Sequence, residues 1–302
     1  VTGETVAERH FGLTRNGAAF EPAAVSGTDA DFNGSGSLFI NLIHLQTARD
    51  NLRQAVMDLL NLNASLASFD IDGDGDLTDI DVSQVHYIGH SLGGIVGTTF
   101  VATNNLNGTT VNSNGNAALP LITESVFGMP GSAIPRLLEA STSFGPAIKG
   151  PITSEDGFGL TENNASYNSL FYIFQGALDS ADPASFAQAM SQIPGAVAKY
   201  MVIESIGDKV VPNSATSPLA GTEPLAALLG TTQIDTGTSD FASGKFFVKY
   251  NDEDSSHGSL ATPGSSGEEL DAFTEIMTST ITLFSGANPA VTGSTVAPVD
   301  AE

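Results

Sequence analysis

The segment Gly89-His90-Ser91-Leu92-Gly93 constrains the fold more than any other part of this 302-residue chain. It matches G-x-S-x-G, a turn in which a strand ends and a helix begins within a few residues. Such a turn brings backbone segments close together, so the positions that flank the serine need glycine. The segment therefore predicts a strand, a tight turn that presents Ser91, and a helix whose first N–H groups point towards the serine.

The residues on either side of this motif fit the prediction. Residues 82–88 alternate apolar and polar side chains and include β-branched and aromatic types, which is typical of a strand. Residues 94–102 are small and apolar, as in a buried helix. Strand, turn and helix therefore follow one another in the order that the motif requires.

A second motif, residues 70–81, has the spacing of an EF-hand-type calcium loop, with carboxylates at alternate positions and Gly75 at the sharp turn. We therefore expect the loop to bind Ca²⁺. Because the loop joins a long helix to the strand before Ser91, we expect the ion to have a structural role. The alternative is a solvated acidic loop without an ion. The expected ligands are Asp70, Asp72, Asp74, Asp76 (through its carbonyl oxygen), Thr78 (through water) and Asp81, which replaces the usual final Glu.

The other elements alternate between strands and helices, which predicts an α/β fold with a mostly parallel sheet. Apolar spacing predicts a long helix from Leu38 to about Leu62, with Ser37 as its N-cap. Residues 103–119 are expected to be a loop. Strands are predicted at 121–128, 199–206 and 245–250, and helices at 132–140, 166–178, 183–192, before Gly230 and at 267–284.

The chain divides into an irregular N-terminal segment (1–37), a main region (38–285) and a loose C-terminal tail (286–302). Within the main region, residues 141–165 mix apolar side chains with Gly, Pro and Asn. This composition suits a lid or an acyl-binding wall. An ordinary surface loop fits it equally well.

Three predicted strand ends offer a nucleophile, an acid and a base. Ser91, Asp208 and His257 each follow a strand, and the carboxyl ends of parallel strands meet at one edge of a sheet. A serine hydroxyl needs a base, and a carboxylate orients that base. We therefore expect Ser91 to be the nucleophile, His257 the base and Asp208 the acid, with the N–H of Leu92 as an oxyanion donor.

Other histidines and aspartates are weaker candidates for these roles. His10 and His44 belong to the N-terminal loop and the long helix, and His86 lies within the strand before the motif. His90 adjoins Ser91 but is expected to face another direction. The rival acids are Asp179, Asp182, Asp235 and Asp252.

The segment 89–94 resembles the nucleophile elbow of lipases and esterases of the α/β-hydrolase superfamily, and residues 207–212 resemble the segment that carries its catalytic acid. Residues 175–183 and the Asp-rich loop are similar to bacterial extracellular lipases of the virulence-factor lipase type. The resemblance implies an α/β-hydrolase fold over residues 38–285. It also implies a secreted or cell-surface serine carboxylic-ester hydrolase, a lipase or lysophospholipase, that acts on lipid or ester substrates through an acyl-enzyme.

One part of the superfamily pattern is missing. Only one long helix precedes the elbow, without the early strands and the His-Gly loop that normally supplies a second oxyanion N–H; His10-Phe11-Gly12 is a poor substitute. We therefore expect the chain to be the C-terminal part of a longer precursor. An N-terminal segment of that precursor would then be a partner of the sheet.

Composition excludes several classes of function. The chain has 34 acidic and 10 basic residues and a net charge of −24, which repels nucleic acid, so we expect no nucleic-acid partner. No apolar run reaches the length of about 18–20 residues that a membrane span needs, which leaves transient contact with a lipid interface. Zero cysteine excludes thiolate catalysis.

The alternatives are a short-chain esterase or acyltransferase with the same triad, and a non-catalytic, calcium-braced binding module.

Overall fold

Strands and helices alternate along the computed structural model, which describes residues 13–16, 19–22, 39–40, 44–77, 79–109, 119–195, 197–238, 240–251 and 253–299. The strands are β1 (Leu13–Asn16), β2 (Ala19–Pro22), β3 (Val85–His90), β4 (Ile122–Gly128), β5 (Lys199–Ser205), β6 (Thr232–Gln233) and β7 (Lys245–Tyr250). The helices are α1 (Leu45–Ser65), α2 (Leu92–Thr109), α3 (Ile134–Ala140), α4 (Gly145–Thr153), α5 (Ala165–Leu178), α6 (Ala184–Ser191), α7 (Thr222–Leu228) and α8 (Gly267–Phe284), with a 3₁₀ turn at Leu66–Ser68.

A parallel five-stranded sheet with the order β3-β4-β5-β7-β6 forms the centre of the fold. The predicted α/β class with a parallel sheet is therefore confirmed. Within the described residues, β3 pairs with β4 alone and forms one edge of the sheet. In the segment 1–37, expected to be irregular, β1 and β2 form a separate antiparallel pair. No helix among the described residues is long and apolar enough to cross a membrane.

The sheet is buried on both faces because its strands are apolar at successive positions. On β5, Tyr200 and Val202 join the core that includes α1, α2 and α7, whereas Met201 and Ile203 join the core beneath α8. This division follows from the two-residue period of a strand, which sends neighbouring side chains to opposite faces. Helices therefore cover both sides, and the carboxyl ends of the strands are left to carry polar groups.

Three buried asparagines connect α1 and α2 to the beginning of β4. The Asn63 amide donates to Asn104 Oδ1 (2.8 Å), and the Asn105 side chain both donates to and accepts from the backbone of Ile122 (2.9 and 3.0 Å). Asparagine usually disfavours a helix because it competes for the backbone hydrogen bonds. Here its amides bond to interior partners, so α2 continues to Thr109, and the prediction of a loop from 103 was wrong for 103–109.

Two further boundaries differ from the prediction. Helix α1 begins at Leu45, with His44 at the N-cap position, rather than at Leu38; Ser37 lies outside the described residues. The segment 141–165, expected to be irregular, contains α4, which has Pro in its first turn, a favourable place for proline. Ile152 of α4 packs with Tyr167 and Phe171 of α5 in a small separate core.

The C-terminal segment packs against α8, which corrects the prediction of a loose tail for residues 286–299. Glu275 of α8 accepts hydrogen bonds from Thr292 N (2.8 Å), Gly293 N (2.6 Å) and Thr295 Oγ1 (2.7 Å). Val296 forms a bridge with Tyr250 and is buried. A buried carboxylate must find donors, and here this segment supplies them. Residues 300–302 lie outside the described residues.

We expect Glu275→Ala to destabilise the protein by about 2–3 kcal/mol, because it removes the acceptor of three hydrogen bonds, one of them from the buried Thr295. It should also make the chain near residues 292–295 the first site of limited proteolysis. Urea unfolding and peptide mapping measure the two effects. The matched control is Glu268→Ala, at an exposed position in the first turn of the same helix. Equal stability of the two variants would contradict the role given to Glu275.

Candidate active site

Ser91 lies between β3 and α2 with φ +54°, in the left-handed region that few L-residues adopt. Its N–H donates to the carbonyl of Gly128 at the end of β4 (2.8 Å), and its carbonyl accepts from Ile95 N (3.0 Å). A Cβ atom at Gly89 would lie 2.4 Å from the carbonyl oxygen of Gly93. The turn therefore requires glycine for steric reasons, as the motif predicts.

Leu92 is the first residue of α2, so its N–H has no acceptor within the helix. The N–H groups and the positive end of the helix dipole lie next to Ser91. This position suits a donor for a developing oxyanion beside the serine. That role of Leu92 stays a prediction.

Asp208 and His257 are brought together from the loops after β5 and β7. Asp208 Oδ2 lies 2.6 Å from His257 Nδ1, and the two side chains are 2% and 17% exposed. The other oxygen of Asp208 accepts from Val210 N (2.7 Å) and Val211 N (3.1 Å). Three donors thus hold the Asp208 carboxylate in one orientation. Two of them are backbone N–H groups, and the third is the partly exposed His257 ring.

The His257 loop packs against the residues around Ser91. Leu260 of this loop lies close to Gly128: a Cβ atom added to Gly128 would be 2.3 Å from Leu260 Cδ2. Gly128 is also the acceptor of the Ser91 N–H bond. At the base of the loop, Ser255 Oγ bonds to Ser205 Oγ of β5 (2.7 Å). The histidine loop and the serine turn thus share one contact point at the end of β4.

His90 provides a second connection between the serine turn and His257. Its Nε2 atom lies 2.5 Å from the carbonyl oxygen of His257, and the ring centroids are 4.9 Å apart. Burial lowers the pKa of His90 below its usual value. His90, which was expected to face another direction than Ser91, thus faces the His257 loop. No sequence pattern could show this contact, because the partners are 167 residues apart.

The rival residues have other partners. Asp182 is buried and accepts from the backbone N–H groups of Ala133, Ile134 and Ala184, and its burial raises its pKa. His86 stacks on Phe284 of α8. Asp179 accepts a hydrogen bond from Gln175, and Asp235 accepts one from Val299 N. His44 directly precedes α1. His10 and Asp252 lie outside the described residues.

In the acidic loop, exposed carboxylates of Asp70, Asp72 and Asp79 converge, with one oxygen atom of each within 4.8 Å of the others. Asp79 was not among the expected ligands. Asp81 was; it lies outside this cluster, and its Oδ1 accepts from Ser83 N (2.9 Å) and Ser83 Oγ (2.6 Å) and caps the turn before β3. The clustered carboxylates also accept backbone N–H bonds within the loop, such as Gly73 N to Asp70 (2.6 Å) and Asp74 N to Asp72 (3.2 Å). The expected ligand Asp74 accepts from Asp76 N (2.7 Å), and Thr78 lies outside the described residues.

Glu204 is a buried carboxylate on β5, four residues before Asp208. It is 1% exposed, its Oε2 atom has no hydrogen-bond partner among the described residues, and Lys249 Nζ lies 3.7 Å from Oε1. Lys249 also pairs with Glu223. Burial raises the pKa of Glu204 to about 8, although the charge of Lys249 opposes the shift.

Comparison with known proteins identifies structural neighbours only. No protein-family model and no curated protein matches the sequence. Puromycin hydrolase (10% identity, TM-score 0.42) matches 80% of this chain and 27% of its own. Pyrococcus horikoshii acylaminoacyl peptidase (12%, 0.39) matches 81% and 29%, and Pyrobaculum calidifontis esterase (15%, 0.39) matches 88% and 79%. The chain thus spans less than a third of the first two proteins.

The geometry of the chain itself decides its fold. A parallel sheet carries a left-handed serine at a strand-to-helix turn, and an aspartate and a histidine follow later strands in the order Ser, Asp, His. The chain therefore has an α/β fold with a parallel sheet, and its serine turn, aspartate and histidine follow the strands in the order that the sequence predicts.

We expect Glu204 to make stability depend on pH. A carboxyl group with a raised pKa in the folded state favours folding fully below its unfolded pKa of 4.5, and this contribution is lost as the pH rises through about 8. Glu204→Gln should therefore be about 1–3 kcal/mol more stable than the unchanged protein at pH 9 and similar to it at pH 4.5. Urea unfolding at both values, with exposed Glu155→Gln as the control, tests this expectation; a constant difference across pH would contradict it.

Proposed function

We propose that this chain is a serine carboxylic-ester hydrolase in which Ser91 attacks the acyl carbonyl, His257 takes the serine proton and Asp208 orients His257. One observation carries the proposal. The Asp208–His257 pair is docked by way of His90 and Leu260 onto the same strand ends that hold Ser91 in its left-handed turn. A histidine that already bonds to a carboxylate is thereby held at the serine turn.

The chemistry follows from these positions. Because Asp208 accepts the Nδ1 proton of His257, the Nε2 atom of the neutral ring is free to accept the serine proton. The new bond between Ser91 Oγ and the acyl carbon places negative charge on the carbonyl oxygen, which the N–H of Leu92 stabilises. Protonated His257 then gives its proton to the leaving alcohol, and water releases the acyl group by the same steps in reverse.

We further propose that the substrate is a lipid ester and that the enzyme is a secreted or cell-surface lipase or lysophospholipase. Large apolar side chains near α4 and α5 support this class: Phe158, Tyr172 and Ile173 are 65%, 71% and 64% exposed. The acidic composition suits a salt-rich exterior. A second oxyanion donor from an N-terminal segment of the precursor is consistent with the open edge of β3 among the described strands.

Labelling with a fluorophosphonate, followed by peptide mass spectrometry, tests the mechanism. We expect the adduct on Ser91, and we expect Ser91→Ala to lose the label and about 10⁴-fold or more of its ester hydrolysis with an unchanged melting temperature. Retained hydrolysis in Ser91→Ala would contradict the mechanism. No label on the folded wild-type protein would support the binding-module alternative.

Esters of different acyl length then separate the enzyme classes. A lipase or lysophospholipase should prefer long-chain esters and gain rate when the substrate forms an interface. Faster turnover of short, dissolved esters, with no gain at the interface, would instead support the short-chain esterase. The Ser91→Ala protein is the control in both assays, because it retains the surface and lacks the nucleophile.

We also propose that the acidic loop binds a structural Ca²⁺. The donor set fits this ion, because the candidate ligands are oxygen atoms and three carboxylates converge in the described part of the loop. Bound Ca²⁺ would neutralise these carboxylates and fix the segment between α1 and β3. Nothing in the proposed reaction passes through the ion.

Substitution of single aspartates should show which carboxylates bind the ion. We expect Ca²⁺ to raise the melting temperature of the unchanged protein by several degrees, through mass action on the folded state. Asp79→Asn should weaken Ca²⁺ binding by about tenfold or more, whereas Asp81→Asn should weaken it much less. Calorimetric titration with Ca²⁺ measures both affinities. A large loss in Asp81→Asn with none in Asp79→Asn would favour the spacing of the sequence motif over the observed cluster.

A further inference from the structure

His90 adjoins the proposed nucleophile in the chain and contacts the proposed base. It precedes Ser91 directly, and as the last residue of β3 it pairs in register with Gly128 of β4. Its ring contacts the His257 ring at an interplanar angle of 47°. Its position is thus fixed by the same strand end that fixes Ser91.

The contact with the His257 backbone defines the state of the His90 ring. A carbonyl oxygen can only accept a hydrogen bond, so His90 Nε2 must carry a proton and donate it (2.5 Å). In the neutral ring this leaves Nδ1 without a proton. The neutral form also avoids a second positive ring beside His257 when that residue takes up the serine proton.

We propose that His90 is a positioning residue that holds the backbone of His257, and through it the imidazole ring, at the serine turn. The inference rests on the proposed hydrolase function. His257 is held at two points: Asp208 holds the ring at Nδ1, and His90 holds the main chain at the carbonyl oxygen. Two fixed points leave His257 little freedom to move relative to Asp208 and the end of β3.

The structure also explains why the carbonyl of His257 needs a side-chain donor. The residue lies in the loop after β7, outside the hydrogen-bonded ladder of the sheet. The neighbouring bonds of this loop, Ser259 N to Ser256 O (3.1 Å) and Ala261 N to Gly258 O (2.8 Å), do not use the His257 carbonyl. His90 supplies a donor that connects this loop directly to the serine turn.

Two substitutions at position 90 test the proposal. His90→Leu removes the donor, and His90→Gln keeps an N–H near the position of Nε2. We expect His90→Leu to lower kcat by about 10- to 100-fold with KM changed less than about twofold, because small displacements of a catalytic group have effects of this size. His90→Gln should recover most of the rate. The matched control is His86→Gln on the same strand, which should leave kcat unchanged.

A spectroscopic readout keeps the proposal separate from the substrate. The proton between His257 Nδ1 and Asp208 is observable by NMR in the resting protein. We expect its exchange with water to be at least tenfold faster in His90→Leu, and close to the unchanged protein in His90→Gln and His86→Gln. Melting temperatures of all variants identify any general loss of structure.

The outcomes distinguish failure of the positioning role of His90 from failure of the proposed hydrolase function. If the unchanged protein hydrolyses no ester and takes no fluorophosphonate label, the proposed function fails, and the NMR exchange alone decides whether His90 positions His257. If hydrolysis is present and His90→Leu keeps both its kcat and its slow proton exchange, the positioning role is overturned. The role is also overturned if His90→Gln is as slow as His90→Leu while both remain folded.

Discussion

The hydrogen bond from Ser91 N to the carbonyl of Gly128 is the contact on which the proposed site depends. It holds the serine turn at the end of β4 and keeps Ser91 in a left-handed conformation that is costly on its own. The same glycine has no side chain, and Leu260 of the histidine loop occupies the space that a Cβ would need. One residue therefore aligns two loops that are distant in sequence.

Buried carboxylates in this protein are stabilised mainly by backbone N–H groups. Asp182 holds the first residues of α3, Glu275 holds the C-terminal segment, and Asp208 accepts two N–H bonds besides its bond to His257. Glu204 differs, because it faces Lys249 and one of its oxygens has no partner in the described structure. Its raised pKa follows from this difference.

Local patterns predicted much of the fold, and long-range contacts account for most of the errors. The turn at Ser91 and the boundaries of α8 depend on glycine positions, apolar spacing and the capping box of Ser266 and Glu269, all of which are visible in the sequence. The prediction of a loop at 103–109 was wrong, because it could not include the buried partners of Asn104 and Asn105, which are remote in sequence. The orientation of His90 and the packing of the C-terminal segment depend on remote contacts in the same way.

Because backbone N–H groups hold the buried carboxylates, the hydrogen bonds of the interior do not depend on the number of basic residues at the surface. Lysine and arginine are scarce in this chain, with 10 in 302 residues. The bonds that hold Asp182, Glu275 and Asp208 nevertheless come mainly from backbone N–H groups and not from these basic side chains. A backbone N–H is present whichever side chain the residue carries. Basic surface residues can therefore be replaced during evolution without loss of these interior bonds, and the protein can become very acidic while its loops keep their positions.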